Sequence, residues 1–293
     1  MTSLPHRRAY SEDPGLCDRI FDLLVTWIPA LRPMRDAAQR LDWRWEDVST
    51  PFVHERDGRV ISHVGVLEQV WAIGGAERRM GGIHAVCTLE SERRRGLYRV
   101  LMEEALAHCD ERYETLELST ENPEYYEPFG FRIVPEYRFV ASRTSPGGRS
   151  GFRRLDVVGD DRDLLLDLLE SRATLSPSFG VVGETAVFKF NEASGANLHY
   201  SEELGLVASM SLGEDGTLEV NDLVAREIPP LSAILARIPD PVREVVFHFN
   251  PERLEVEARP ERTTDGDCLM VRGEFPFDGS RLPLGMMPPS SRH

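Results

Sequence analysis

The sequence has only four cysteines, and none of them is paired at the C-x-x-C spacing of a zinc or redox site. Because these four residues lie far apart along the chain, we interpret them as reduced, packed thiols. They are Cys17, Cys87, Cys109 and Cys268. No cluster of metal-ligating residues appears elsewhere, so the sequence implies neither a metal nor a redox cofactor.

The sequence also lacks long apolar runs. Residues 1–15 mix charge and proline and have no apolar core of the kind that a signal peptide carries. No stretch approaches the roughly 18 apolar residues that a membrane-spanning helix needs. We therefore expect no membrane association and, by default, a cytoplasmic location.

Positive charge is the third deficit. The chain has 34 Lys and Arg against 49 Asp and Glu, which gives a formal net charge of −15. This balance argues against a duplex nucleic-acid binder, because affinity for phosphate backbones comes from clustered basic side chains. The acidity either only keeps the protein in solution or also attracts a cationic substrate, and the sequence leaves both interpretations open.

The length of 293 residues is typical of two domains of about 150 residues each. The polar, helix-breaking segment Ser145–Gly151 reads as the linker between them. We therefore predict one domain over residues 1–145 and a second over residues 146–293.

In the first half, the pattern of apolar residues predicts two helices, a β-hairpin, a strand, a helix and another strand, followed by a closing hairpin. The helices are expected near 16–28, 33–45 and 96–109, and the strands near 52–55, 59–71, 78–88, 116–118 and 129–140. The fold class is α/β with a mixed sheet.

The second half repeats this coarse order, so a duplication is plausible although residue identities do not establish it. The predicted helices cover 161–175 and 231–238, and the predicted strands cover 154–158, 187–190, 198–201, 206–212, 217–225 and 243–250.

The junction between the strand 78–88 and the following helix carries the clearest chemical signal. Arg93, Arg94, Arg95 and Arg99 surround Gly96 in an otherwise acidic chain. Main-chain N–H groups in a glycine-containing turn before a helix N-terminus favour a phosphate group, and guanidinium groups add complementary charge. The alternative is a solvated basic turn that binds nothing. The similar spacing in Arg78–Gly81 lies inside a predicted strand and should bind nothing.

Downstream, Tyr126 precedes Phe129-Gly130-Phe131. Together with the strand Ala85–Thr88 and the loop Arg93–Tyr98, this segment resembles the GNAT N-acetyltransferase superfamily, and most closely the branch that contains the enhanced intracellular survival acetyltransferase. The resemblance implies a GNAT fold in the first domain and acetyl-CoA as the cosubstrate.

The resemblance also implies roles for individual residues. Val86, Cys87 and Thr88 would pair with the pantetheine arm, and the segment Arg93, Arg94, Arg95, Gly96, Leu97 and Tyr98 would hold the pyrophosphate. Tyr126 would be the general acid that protonates the departing thiolate, with Tyr125 as the fallback. Tyr98 departs from the small residue that the family has at this position, so it either crowds the phosphates or points outward.

The general base is less clear from the sequence. Period-two alternation places His84 on the same face of the strand as Val86 and Thr88, and an imidazole titrates in the useful range. A strand histidine is more often packed than catalytic, however, and Glu117, Glu121 and a water relay are alternatives. We name His84 as the candidate base.

The equivalent junction in the second half, Asn221–Pro230, has no glycine and contains two prolines, which remove main-chain donors. We expect a degenerate GNAT-like domain that does not bind CoA and that shapes the acceptor cleft. The sequence ends too early for the third, sterol-carrier-like domain of that branch, so the catalytic role of its C-terminal carboxylate is not carried over.

The expected activity is transfer of an acetyl group to a primary amine of a small molecule, a peptide or a protein, with a cationic acceptor such as an aminoglycoside or a polyamine suggested by the branch. A noncatalytic acyl-CoA sensor or scaffold is the alternative. The sequence leaves the oligomeric state open, although members of the family often form homo-oligomers.

Overall fold

A computed structural model describes residues 5–183, 185–264, 266–277 and 283–293 of the chain. These residues form two mixed β-sheets with helices packed on them. The helices are α1 Leu16–Leu24, α2 Leu31–Gln39, α3 Trp45–Val48, α4 Leu97–Asp110, α5 Arg162–Glu170, α6 Ala186–Glu192 and α7 Leu231–Leu235. None of the described helices is long and apolar enough to cross a membrane.

The first sheet has the strand order β1-β2-β3-β4-β14-β5, and β8 pairs with β2. Its strands are β1 Thr50–Arg56, β2 Arg59–Ile73, β3 Ala76–Thr88, β4 Thr115–Thr120, β5 Arg132–Ile133, β8 Phe179–Val181 and β14 Cys268–Gly273. The β3 and β4 strands run parallel, whereas the other pairs are antiparallel.

The second sheet has the order β13-β6-β12-β11-β10-β9-β7. Its strands are β6 Tyr137–Ala141, β7 Arg153–Arg154, β9 Leu198–Ser201, β10 Leu206–Leu212, β11 Thr217–Val224, β12 Glu244–Phe247 and β13 Arg259–Arg262. It too contains one parallel pair among the described strands, β11 with β12.

Strand β2 is buried on both faces of the first sheet. Nearly all of its 15 residues are buried, so its apolar residues form an almost continuous run rather than an alternating one. On one face, α1 packs with α2, Trp43 and Trp45 against the sheet and against helices of the second half. On the opposite face, α4 packs through Leu101, Met102 and Ala105.

The two sheets exchange strands across the predicted linker. Strand β6, from the first half, lies between β12 and β13, whereas β14, from the second half, lies between β4 and β5. The predicted closing hairpin over 129–140 is therefore wrong, because β5 and β6 enter different sheets. The division at residue 145 stays a prediction about domains, and it does not separate the strands of the two sheets.

One predicted strand of the second half is a helix in the structure. The run Val187–Phe190 was predicted to be a strand because it combines a β-branched residue with aromatic ones, but it lies in helix α6. A short apolar run fits a buried helix as well as a buried strand. In α6, Val187 and Phe188 are buried while Asn191 contacts the segment 289–292.

Candidate active site

Strands β3 and β4 diverge in the middle of the first sheet. Their parallel pairing covers only Met80 with Thr115, Gly81 with Leu116 and Gly82 with Glu117. Beyond this last pair, β3 continues to Thr88 and β4 to Thr120 without further pairing to each other among the described residues. A V-shaped gap therefore opens at Gly82 and Glu117, and Val86, Cys87 and Thr88 lie along one side of it.

A β-bulge changes the direction of the side chains on β3. Ala85 has φ = 51°, and the partners shift from His63 with Cys87 to Gly65 with His84. The extra residue reverses the alternation. As a result, Val86 packs toward α4, whereas His84 contacts the ring of Trp45 on the opposite face, with 5.0 Å between ring centroids. The prediction that His84 shares a face with Val86 is therefore wrong.

The loop before α4 has the backbone conformation of an anion-binding turn. Arg94 has φ = 62° and Gly96 has φ = 79°, and the helix begins at Leu97. Left-handed residues alternating with right-handed ones turn successive N–H groups toward one point. No neighbouring atom would lie within 4 Å of a Cβ at Gly96, so the main chain is open to a ligand there.

The arginines of this loop have different surroundings. The guanidinium group of Arg93 lies over the exposed ring of Trp27, 5.5 Å from its centroid, and its Nε donates to the carbonyl oxygen of Thr88 at 3.3 Å. Arg95 pairs with Glu92 at 3.1 Å. Within the described part of the chain, Arg94 has no such partner. It is therefore the arginine that is most available to a phosphate.

The control sequence Arg78–Gly81 lies in β3, as predicted. Its arginines form ion pairs with carboxylates of neighbouring elements. Arg78 pairs with Glu114 at 3.4 Å and Arg79 with Glu68 at 2.5 Å. The spacing is the same as in the loop before α4, but here it lies within a strand.

A groove of about 350 Å³ connects this loop to the Tyr126 segment. One wall contains Thr88, Arg93, Arg94 and Gly96, and the other wall contains Glu124, Tyr125, Pro128 and Phe129, the residues on either side of Tyr126. Two segments that are 30 residues apart in sequence thus form one groove. It lies at the end of the unpaired edge of β3.

Tyr98 joins the two walls. Its hydroxyl donates to the main-chain oxygen of Tyr125 at 3.0 Å, and its ring contacts the rings of Tyr126 and Phe129 edge-on. The side chain extends from the first turn of α4 to Tyr125 and is itself one of the residues that line the groove. Tyr98 is a structural link between the motifs.

Tyr126 lies between two short 3₁₀ turns, Pro123–Tyr125 and Glu127–Phe129. Burial raises its pKa to about 12, and a hydrogen bond with Thr120 opposes this rise. The hydroxyl therefore keeps its proton at neutral pH and releases it less readily than an exposed phenol does. The fallback candidate, Tyr125, is 59% exposed.

On the other face of the sheet, three histidines and one glutamate lie close to the gap. Nε2 of His84 is 2.9 Å from Oγ of Ser49. Nδ1 of His63 is 2.7 Å from the carbonyl oxygen of Ala85, so this nitrogen must carry the hydrogen. Burial lowers the pKa of His84 well below its ordinary value and that of His63 to about 4, so both rings are neutral at pH 7.

The remaining two members of this group are Glu117 and His293. Nε2 of His293 lies 3.0 Å from Oε1 of Glu117, and both side chains are buried. The rings of His293 and His84 are 6.0 Å apart. Glu121, the other acidic candidate, is exposed.

Comparison with known proteins agrees with these motifs. Residues 31–134 match the acetyltransferase (GNAT) domain family. The matched range contains the β3 edge, the loop before α4 and Tyr126. No significant match is found among curated protein sequences.

Solved structures resemble the chain over both halves. A probable N-acyltransferase from Enterococcus faecalis V583 has a TM-score of 0.58 at 16% identity, and the alignment covers 91% of this chain and 71% of that one. Eis1 from Mycobacterium abscessus has a TM-score of 0.58 at 15% identity, with 93% and 74% covered. A GCN5-related N-acetyltransferase from Kribbella flavida has a TM-score of 0.53 at 20% identity, with 89% and 69% covered.

The solved structures confirm the predicted fold class, a mixed α/β GNAT fold followed by a second sheet that is built mainly from the second half. The family match supports acyl transfer as the general chemistry of residues 31–134. Because the alignments extend over about nine tenths of the chain, the second half is part of the shared architecture.

Sequence reasoning missed His293. Its neighbour Glu117 is 176 positions earlier in the sequence, and no local motif points to such a contact. The motifs that carry the GNAT resemblance lie in the first half, and the role of the related branch's C-terminal carboxylate was not expected in this chain. The residue lies at the gap because the segment 283–293 passes between the two halves of the molecule.

Proposed function

We propose that the chain is an N-acetyltransferase that transfers the acetyl group of acetyl-CoA to a primary amine by direct attack. The observation that carries this proposal is the groove between the Arg93–Gly96 loop and the residues that flank Tyr126, which begins at Thr88, the end of the β3 edge that β4 leaves unpaired. Acetyl-CoA supplies an activated acyl thioester.

The residues of the groove fit this cosubstrate. The loop N–H groups, Gly96 and Arg94 would hold the pyrophosphate, while Arg93, Arg95, Leu97 and Tyr98 shape the turn. Main-chain groups of Val86, Cys87 and Thr88 on the side of β3 that faces away from β2 would bind the pantetheine arm as a neighbouring strand does. Main-chain donors at the gap would stabilise the negative charge that develops on the acyl oxygen.

Tyr126 would donate its proton to the sulfur as the carbon–sulfur bond breaks. The phenol is protonated at neutral pH and can therefore serve as an acid, while its raised pKa makes it a weaker proton donor than an exposed tyrosine. His84 is the base proposed from the sequence, but it lies on the face of the sheet opposite Val86 and its Nε2 already interacts with Oγ of Ser49.

We propose a cationic amine as the acceptor class, such as a polyamine or an aminoglycoside. The net charge of −15 supports this choice through long-range attraction. The buried carboxylate of Glu117 near the gap supports it at short range.

The test combines calorimetry of acetyl-CoA binding with assays of acetyl-CoA consumption over a panel of primary amines. Tyr126→Phe should bind acetyl-CoA normally and lower kcat by about 100-fold or more. Tyr113→Phe is the matched control, because its pKa is likewise raised to about 12 while its hydroxyl donates to Glu68 away from the groove. Binding without turnover of any amine would instead favour the acyl-CoA sensor.

A further inference from the structure

The side chains of His293 and Glu117 form a buried pair at the apex of the V-shaped gap. Their exposed fractions are 7% and 2%, and the two atoms that face each other are 3.0 Å apart. The geometry is not that of a direct hydrogen bond, however. Among the described residues, neither Nε2 of His293 nor Oε1 of Glu117 has a hydrogen-bond partner of good geometry.

An unpartnered buried nitrogen and oxygen are costly, because each loses its bonds to water on folding. Such a pair is suited to a ligand that supplies donors to both atoms. A protonated amine carries up to three N–H donors and a positive charge, so it matches this arrangement.

Gly82 leaves the room for the pair. A Cβ at this position would lie 2.5 Å from Nε2 of His293 and 2.6 Å from Oε1 of Glu117. Gly82 and Glu117 also form the last residue pair between β3 and β4. The pair therefore lies where the strands separate, next to the position proposed for the thioester.

Contacts from both halves of the molecule fix the segment that carries His293. The side-chain amide of Gln69 donates to the carbonyl oxygen of Ser291 at 3.1 Å, and that of Asn191 donates to the carbonyl oxygen of Arg292 at 2.9 Å. Arg292 pairs with the buried carboxylate of Glu136 at 2.9 Å. These contacts hold the main chain that leads directly to His293.

We infer that His293, paired with Glu117, accepts the proton of the acceptor ammonium. The inference rests on the proposed function and assigns its general base. His84 is the neighbour that competes for this role, but its Nε2 already interacts with Ser49. The titratable groups around the pair are His84 of β3, His63 of β2 and Glu117 of β4.

The reaction needs no reactant other than the amine and acetyl-CoA. The ammonium gives one proton to Nε2 of His293, and the carboxylate of Glu117 stabilises the imidazolium. The amine nitrogen then forms its bond to the acyl carbon while the carbon–sulfur bond breaks and Tyr126 protonates the sulfur. The amine nitrogen then gives its second proton to the phenolate of Tyr126. The imidazolium of His293 releases its proton to water.

The experiment compares His293→Gln and Glu117→Gln with wild type on an amine that wild type acetylates. We expect kcat/KM to fall by about 100-fold or more in His293→Gln at neutral pH. The difference in kcat/KM between wild type and His293→Gln should become smaller at higher pH, because more of the free amine is then already deprotonated. Added imidazole should restore part of the rate to His293→Ala, while calorimetry shows unchanged acetyl-CoA binding.

A second readout does not depend on turnover. In the complex with free CoA, Glu117→Gln should bind the cationic amine about tenfold more weakly, because it loses a charge beside the ammonium. The matched control is His248→Gln, since His248 and Glu219 form a similar pair at 2.7 Å in the second sheet. This control should retain wild-type rates and affinities.

Two outcomes overturn the inference, and they differ. If wild type acetylates amines and His293→Gln keeps both its rate and its pH profile, the base is another group and only this inference fails. If wild type binds acetyl-CoA and acetylates no amine, the proposed function fails, and the inference fails with it.

Discussion

The hydroxyl group of Tyr98 donates a hydrogen bond to the main-chain oxygen of Tyr125, with 3.0 Å between the two oxygen atoms. This bond joins the first turn of α4 to the segment that carries Tyr126. The residue that departs from the family pattern thus connects the two parts of the proposed acetyl-CoA groove.

Tyr98→Phe removes this bond and keeps the ring contacts. We expect a loss of about 1 kcal/mol in the free energy of unfolding, which is the usual contribution of one hydrogen bond. We also expect a lower kcat, because the Tyr126 segment is held less firmly. Urea unfolding and steady-state kinetics measure the two effects. An unchanged kcat together with the stability loss would show that the bond does not position Tyr126.

Gly96→Ala tests the proposed pyrophosphate loop. Alanine at φ = 79° is strained by about 1 kcal/mol, and its methyl group lies where the phosphates would approach. We expect weaker acetyl-CoA binding in calorimetry, on the order of tenfold. Gly58→Ala is the matched control, because Gly58 has φ = 73°, is equally open and lies in the β1–β2 turn. Equal affinities for the two variants would contradict the assignment of the loop.

The loop and Tyr126 were predictable because their signals are local. The strand, the turn and the helix follow one another between Arg78 and Cys109, so glycine placement and apolar spacing identify them directly. The side chain of His84 lies on the opposite face of the sheet from the one predicted, because the extra residue of the bulge at Ala85 reverses the alternation of side chains along β3. No composition rule locates a bulge of that kind.

Non-local features could not be predicted. The pairing of β14 with β4 joins Cys268 to Thr120, and the contact of His293 with Glu117 depends on that same return of the chain. Both arise from packing between the two halves. The helix at Ala186–Glu192 has the same origin, because burial of Val187 and Phe188 outweighs their preference for a strand.

His63 gives the protein an acid-sensitive element. Its ring is completely buried, and burial lowers its pKa from 6.5 to about 4. Between these values the unfolded chain binds the proton and the folded chain does not, so stability is full above pH 6.5 and falls as the pH drops toward 4. The expected loss from this group is about 3 kcal/mol.

His63→Gln retains a donor for the oxygen of Ala85 and no longer titrates. We expect its free energy of unfolding to change less between pH 7 and pH 4 than that of wild type, although His84 still contributes in the same direction. Urea unfolding at both pH values measures this difference. Identical pH slopes for the two proteins would contradict the assignment.

The buried ion pair of Arg172 and Asp222 anchors the segment that carries His293. The pair has a distance of 2.6 Å and exposed fractions of 6% and 0%, and Ser290 donates to the same carboxylate. Asp222→Ala should lower the free energy of unfolding by about 3 to 5 kcal/mol, because it removes the carboxylate of a buried ion pair. The proposed acetyl transfer should also slow, because the segment around Ser290 loses an anchor.

Asp167→Ala is the matched control for this change. Asp167 and Arg226 form an exposed pair at 2.7 Å, which should contribute no more than about 1 kcal/mol. Urea unfolding of both variants gives the comparison, and acetyl transfer is measured at a temperature where both remain folded. A loss of similar size in the two variants would contradict the structural role of Asp222.

The exchange of strands between the sheets has a consequence for biosynthesis. A ribosome completes residues 137–141 long before residues 268–273, yet β6 and β14 must each enter the sheet that the other half builds. Until β14 has been synthesised, the edges of β4 and β5 that will pair with it carry exposed, unpaired main-chain N–H and C=O groups. We therefore expect that the first half does not fold as a separate fragment that ends at the linker, and that the two halves unfold in one thermal transition.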